Sequence, residues 1–239
     1  MKAKIALAVN NLKKKLNGKE LLTGIDFNLT EGEILSIFGP NGAGKTTLLN
    51  LLSTATNPTT GRIEIMGQDI IEDSIIIKEQ VGLISHETFF YDKLTAYENL
   101  EFYGKMYSIT DLDNRIFRVI KEVGLKYCLH DFVATFSRGM KQRLAIARAI
   151  LHLPKLLLLD EPYTGLDQHA IEMLNGIVKK LNEQGRTIVT VTHNLQQGLK
   201  ISDQFLILID GRIEFAANSQ EFTTTELKEK YSGLLGGRL

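Results

Sequence analysis

Apolar positions along this chain fall into two textures. Toward both ends they come as short runs bounded by turn residues; in the middle they recur at helical spacing. Leu156 to Asp160 is an unbroken apolar run closing on a carboxylate, the pattern of a strand buried on both faces. Glu33 to Phe38 and the β-branched stretch Thr187 to Thr192 also read as strands. Phe205 to Ile209 and Arg212 to Phe215 flank Asp210-Gly211, a strong two-residue hairpin signal. The stretch from Met1 to Asn10 begins like a secretory leader, but its apolar part ends at Val9. A leader core needs about 7–15 apolar residues, so this stretch reads as a first strand.

Between His86 and Pro154 the texture turns helical. Thr95-Ala96-Tyr97-Glu98 forms a capping box, with Thr95 accepting from the third amide and Glu98 reaching back. The pattern behind it predicts a helix through Tyr107. A second helix is expected from Asp113 to Val123, stopped by Gly124, and a third from near Arg138 through Ile150. The expectation is an α/β core, residues 1–86 plus 156–239, interrupted by a helical subdomain over 87–155.

Composition narrows this picture. The chain has 239 residues, with 28 basic and 28 acidic side chains. Zero net charge argues against a general nucleic-acid or anionic-lipid surface. One cysteine, Cys128, allows neither an internal disulfide nor a cysteine metal cluster, and fits a reducing compartment. No run approaches the roughly 20 apolar residues that span a bilayer, so the chain is expected neither to cross a membrane nor to be exported.

The chemistry begins at Gly39-Pro40-Asn41-Gly42-Ala43-Gly44-Lys45-Thr46, which fits G-x-x-x-x-G-K-[ST] and is followed by Thr47. It lies between an expected strand and an expected helix, Lys45 to Leu52, as the motif requires. Glycines let backbone amides turn inward around phosphates, and the helix N-terminus adds unsatisfied N–H groups. Lys45 is placed for the β- and γ-phosphates, and Thr46 for Mg²⁺. GTPases, small-molecule kinases, helicases and transport ATPases all carry this loop. The base-reading motif N-K-x-D is absent, which disfavours a GTPase.

A second acidic motif ends the Leu156 strand. Side chains alternate along a strand, so Asp160 and Glu161 are expected to point differently and hold different jobs. Asp160 suits Mg²⁺, directly or through water. Glu161 suits polarising a water for in-line attack on the γ-phosphate.

At this point the chain resembles the nucleotide-binding subunit of ATP-binding-cassette (ABC) transporters. Phe136-Ser137-Arg138-Gly139-Met140-Lys141-Gln142-Arg143 resembles that family's signature segment, and Ser137 stands 23 residues before Asp160. Thr164-Gly165-Leu166-Asp167 resembles its D-loop, and Thr192-His193 its switch histidine. The resemblance implies a P-loop NTPase fold of ABC type, with a β-rich N-terminal part and a helical insertion. It implies ATP and Mg²⁺ as cofactors and Glu161, His193 and Lys45 as catalytic groups. Gly39 through Thr47 would bind one ATP, while Ser137, Gly139 and Asp167 would meet the ATP of a facing subunit. That subunit would be a second copy or a paralogue, joined head to tail. A separate multi-span membrane permease would be the other partner, placing the chain on the cytoplasmic face of the cell membrane.

Three positions depart from the family pattern. His86 stands where the family has Gln, eight residues before Leu94, and a neutral imidazole there can ligate the metal. Leu16, nine before Ile25, stands where an aromatic usually stacks on adenine. Arg138 and Met140 replace Gly and Gln; Arg138 either adds a cation near the facing ATP or sits in solvent. The variants bear a weaker resemblance to haem-exporter ATPases of cytochrome c maturation, although several prokaryotic exporters share them. Phe89, Phe90, Tyr91, Tyr97, Phe102, Tyr103 and Tyr107 crowd one stretch, as helix core or as a groove for a partner helix. The competing function is a soluble ABC ATPase acting on DNA or ribosomes. Such relatives carry coiled coils or two cassettes, and this chain shows neither. A third, an ATP sensor without turnover, is disfavoured by the presence of Glu161.

Overall fold

The computed structural model describes residues 4–85 and 89–236. An antiparallel sheet opens the chain: β1 (Ile5–Leu16) pairs with β2 (Lys19–Thr30) and, on its other edge, with β4 (Thr60–Ile65), which leads to β5 (Gln68–Asp69). β1 runs to Leu16, well past the apolar stretch that ends at Val9. Register shifts along β1 break the alternation, so its second half buries Leu12 while Lys13, Lys14 and Lys15 stay at the surface.

β3 (Ile34–Phe38) feeds the phosphate loop and α1 (Lys45–Leu52). α2 (Ser74–Gln80) and β6 (Val81–Ile84) follow, then three helices: α3 (Ala96–Met106), α4 (Leu112–Glu122) and α5 (Arg138–Ala149). The chain returns through β7 (Leu156–Asp160), α6 (Gln168–Glu183), β8 (Thr187–Val191) and α7 (Leu195–Ile201). It closes with β9 (Gln204–Ile209), β10 (Arg212–Asn218) and α8 (Thr224–Gly236).

These strands form the second sheet, in the order β10-β9-β3-β8-β7-β6. All neighbours are parallel except β9 and β10, the hairpin turned at Asp210-Gly211. β7 shows why its run is apolar throughout. Leu157 and Leu159 enter the apolar cluster shared with α3 to α6, while Leu156 and Leu158 enter the cluster under α1 and the antiparallel sheet. Both faces are covered, as parallel sheets require.

The three helices lie in the crossover from β6 to β7. Thr95 caps α3 with the full capping box. α4 buries Ile116, Val119 and Ile120 on one stripe, and Gly124 (φ 71°) follows its end. α5 comes close to the sheet because Gly82 has no side chain: a Cβ there would lie 2.4 Å from the Ala149 carbonyl oxygen. Among the described residues no helix is long and apolar enough to cross a membrane.

Candidate nucleotide site

Because β3, β7 and β8 are parallel neighbours, their C-terminal ends share one edge of the sheet. That edge is where open α/β sheets hold ligands. It carries the phosphate loop, the Asp160-Glu161 pair and Thr192-His193.

The loop is shaped by close approach. A Cβ on Gly39 would lie 2.3 Å from the Leu208 carbonyl oxygen. Gly44 has φ +103°, and a Cβ there would meet Leu22 Cδ2 at 2.7 Å. The Gly211 amide donates to the Ala43 carbonyl (3.0 Å), and Thr23 N–H donates to the Gly211 carbonyl (2.9 Å). The β9–β10 turn and β2 thus brace the loop from behind. Asn41 and Gly42 stay exposed at its tip. α1 starts at Gly44 with neither a side-chain cap nor an acidic residue in its first turn. Its first amides and dipole are left for an anion.

Lys45 is 7% exposed and donates to the carbonyls of Gly39 (2.7 Å) and Pro40 (3.0 Å). Two of its three donors therefore fix the ammonium over the loop. Its Nζ lies 3.9 Å from Glu161 Oε1. Burial pulls the Lys45 pKa below its ordinary value, while Glu161 and Asp160 act to raise it.

Glu161 has φ 47°, in the left-handed region that non-glycine residues rarely occupy. Strand alternation was the expected reason for Asp160 and Glu161 to diverge. The strand ends at Asp160, and it is this left-handed turn that redirects Glu161. Its amide still donates to the Val191 carbonyl at 2.8 Å. Its Oε2 accepts from the His193 amide (3.3 Å) and lies 2.8 Å from His193 Nδ1. Lys45 and His193 thus flank one carboxylate, and such local strain is characteristic of functional sites.

A cavity of about 360 Å³ opens beside these groups, walled by Asn41, Gly42, Gly44, Lys45, Thr46, Thr47 and Glu161. Gly39 and Ala43 are buried beneath it. Lys19 and Leu21 of β2 complete the wall; sequence reasoning missed both, since nothing local marks them. Leu16 is 56% exposed at the end of β1, paired with Lys19, and is not part of that wall. His86 lies outside the described residues.

Ser137, Gly139 and Asp167 form a separate group outside that wall. Ser137 caps α5, its Oγ accepting from the Met140 amide (3.2 Å). Asp167 caps α6, accepting from Ala170 N–H (2.7 Å). A Cβ on Gly139 would lie 3.2 Å from Ala170 Cβ, so the two helix N-termini pack side by side. Arg138 lies against Gly165: a Cβ there would lie 2.6 Å from its guanidinium carbon. Arg138 is exposed, as the solvent alternative expects, and its guanidinium lies over Gly165 of its own chain.

The crowded aromatics divide. Phe90, Tyr97 and Tyr103 pack against the helical core. Phe89, Tyr91, Phe102 and Tyr107 are exposed.

Comparison with known proteins places these features in context. The family model described as ABC transporter matches residues 22–164. The linearmycin resistance ATP-binding protein of Bacillus subtilis is 36% identical over 209 residues, covering 87% of this chain and 67% of that protein. Among solved structures, cbiO1 from Clostridium perfringens, part of the ABC transporter complex cbiONQ, superposes with a TM-score of 0.86 at 26% identity. It covers 96% of this chain and 95% of its own. A dimeric ATP-binding cassette in a post-hydrolysis state with ADP and Pi superposes with a TM-score of 0.80 at 28% identity, covering 90% and 100%.

Proposed function

The chain belongs to the ABC transporter family as an ATP-binding, ATP-hydrolysing subunit, and from that premise we propose how its residues divide the work. Gly39 to Thr47 hold the triphosphate of ATP, with the Lys45 ammonium on the β- and γ-phosphates. Glu161 polarises the attacking water, and His193 holds that carboxylate and contacts the γ-phosphate. The observation that carries this reading is the Lys45–Glu161–His193 cluster, with Lys45 and Glu161 in the cavity wall and His193 on the Glu161 carboxylate.

Mg²⁺ suits the same site. No three of His, Cys, Asp and Glu gather into a metal cage among the described residues. Magnesium needs none, since it binds through one or two protein oxygens together with substrate phosphates. Thr46 and Asp160 would supply them, and His86 is the third expected ligand. When bound, the ion neutralises charge on the β- and γ-phosphates.

Two copies, or this chain and a paralogue, face head to tail. The exposed Ser137 and half-buried Gly139 of one cover the γ-phosphate held by the other, and Asp167 lies at that junction. The support is their separation from the cavity wall of their own chain. Loss of the γ-phosphate loosens the pair and drives a rigid-body motion.

The membrane partner is a separate multi-span permease, and one of its helices occupies a groove of about 440 Å³. Tyr103 and Met106 of α3 and Tyr107 just after it face Val81, Leu83 and His152 across it, with Lys78 at its rim for an acidic residue. This docking puts the chain at the cytoplasmic face of the membrane. The helical subdomain over 87–155 is then the part that answers both partners.

The test is binding of a labelled ATP analogue to Lys45→Ala. Loss of binding is expected, with the fold retained by circular dichroism; unchanged binding would sink the phosphate-loop assignment.

A further inference from the structure

α6 carries a polar residue inside its apolar stripe. Asn175 is 9% exposed among Ile171, Leu174 and Val178. Burying an amide there is costly unless it is hydrogen-bonded, and both of its atoms are engaged. The Tyr163 hydroxyl donates to Asn175 Oδ1 at 2.9 Å. Asn175 Nδ2 donates to Gln197 Oε1 at 2.8 Å. Tyr163 and Gln197 are 5% and 6% exposed.

The line continues at both ends. The Gln197 amide donates to Asn194 Oδ1 (3.1 Å), and the Asn194 amide donates to Thr192 Oγ1 (3.0 Å). His193, between those two residues, meets the Glu161 carboxylate at 2.8 Å. Tyr163 follows Glu161 by two residues. The hydrogen bonds and the backbone therefore close a ring from Glu161 through Tyr163, Asn175, Gln197 and Asn194 to His193, and back to Glu161.

We infer that Tyr163, Asn175 and Gln197 are positioning residues for hydrolysis: their buried bridge holds the Glu161 turn and the His193 turn in one register. The inference rests on the proposed roles of Glu161 and His193. Glu161 sits in a left-handed turn, and His193 is 63% exposed. Each turn is anchored to the sheet by a backbone hydrogen bond, Glu161 N–H to the Val191 carbonyl (2.8 Å) and Thr192 N–H to the Ile37 carbonyl (3.1 Å), and the buried bridge is what joins the side of one turn to the other. A fully satisfied buried network specifies one arrangement, and α6 is its middle member. Because Asp167 caps the start of α6, beside the signature helix, the same ring ties the carboxylate to the face proposed to meet the second subunit.

The experiment is steady-state ATPase kinetics of Tyr163→Phe and Gln197→Met, which break the ring on either side of Asn175. Each is expected to lower kcat about tenfold, with KM for ATP within twofold and the unfolding midpoint a few degrees lower, since a buried amide atom of Asn175 loses its partner, while circular dichroism shows the fold retained. The double variant should be no slower than either single one, because a ring opened once is open. In a His193→Ala background, Tyr163→Phe should have no further effect. Unchanged kcat in either single variant would overturn the inference. So would a tenfold loss that persists without His193, or a rise in KM alone. Wild-type chain without ATP turnover would overturn the catalytic reading as well, which separates the two failures.

Discussion

Glu161→Gln separates binding from chemistry. The substitution keeps the shape, and an amide oxygen can still accept from the His193 amide now bonded to Oε2 at 3.3 Å. What disappears is the charge and the basicity. At 3.9 Å the Glu161–Lys45 attraction is about 4 kcal/mol at an effective dielectric of about 20. Removing it leaves Lys45 less well compensated. That loss is felt by the free protein and the ATP-bound one alike, so it does not weaken binding; the negative charge that would repel the incoming γ-phosphate is also gone, and ATP binding persists. The chemical step has no such compensation. A positioned base contributes about 10²–10⁴-fold, which is about 3–5.5 kcal/mol of barrier at about 1.4 kcal/mol per decade. Turnover should fall by that factor while ATP affinity stays within a few-fold, and the ATP-joined dimer should accumulate because it cannot discharge. Phosphate-release kinetics and sedimentation velocity with ATP read the two effects. Turnover within threefold of wild type, or a monomer at high protein and ATP concentrations, would refute the reasoning.

Two further outcomes follow from the groove and its floor. Met106→Glu puts a charge on a 69% exposed groove residue; it should abolish co-purification with the membrane partner while the unfolding midpoint stays put, and intact co-purification would move the docking site elsewhere. His152 is stacked on Tyr107 at 4.1 Å, with its Nε2 3.0 Å from the Val81 carbonyl oxygen. Burial holds its pKa below the ordinary 6.5, against the opposing pull of that carbonyl. Between the lowered folded pKa and 6.5 the unfolded chain binds the extra proton, so stability is full above that window and falls as pH drops through it. His152→Phe, which keeps the ring stack, should flatten the fall in unfolding midpoint between pH 7.5 and 5.5; parallel curves for variant and wild type would contradict this.

What the sequence made legible tracks how local each signal is. β7, α1 and the capping box of α3 are visible because their causes lie within a few residues: an unbroken apolar run, a glycine-rich turn, a Thr-x-x-Glu. The glycine-rich loop and the Asp160-Glu161 pair are legible as motifs for the same reason. β2 and β4 escaped because their sheet is half-exposed and interrupted by register shifts, which erase the period of two. Lys19 and Leu21 reach the cavity wall only through the fold, and no local pattern marks them. Asn175 was legible in principle, as an amide spaced four residues from Ile171 on an otherwise apolar stripe, but its partners lie on two other segments.

Arg138 shows how a departure from a family pattern changes meaning once packing is seen. Read along the sequence, it is a cation inserted where glycine is common, facing a neighbour's phosphates or solvent. In the fold its guanidinium covers Gly165, where the lack of a Cβ makes the room and φ is 72°. Gly165 lies two residues before Asp167, the cap of α6. The first residue of the signature helix therefore rests on the loop that leads into α6. α6 in turn carries the Asn175 bridge toward Glu161 and His193. A cation here connects the surface proposed to sense a neighbour's ATP with the turn that acts on its own, through contacts within a single chain. Long guanidinium side chains suit this work, since a planar group can lie flat on backbone while its charge remains available.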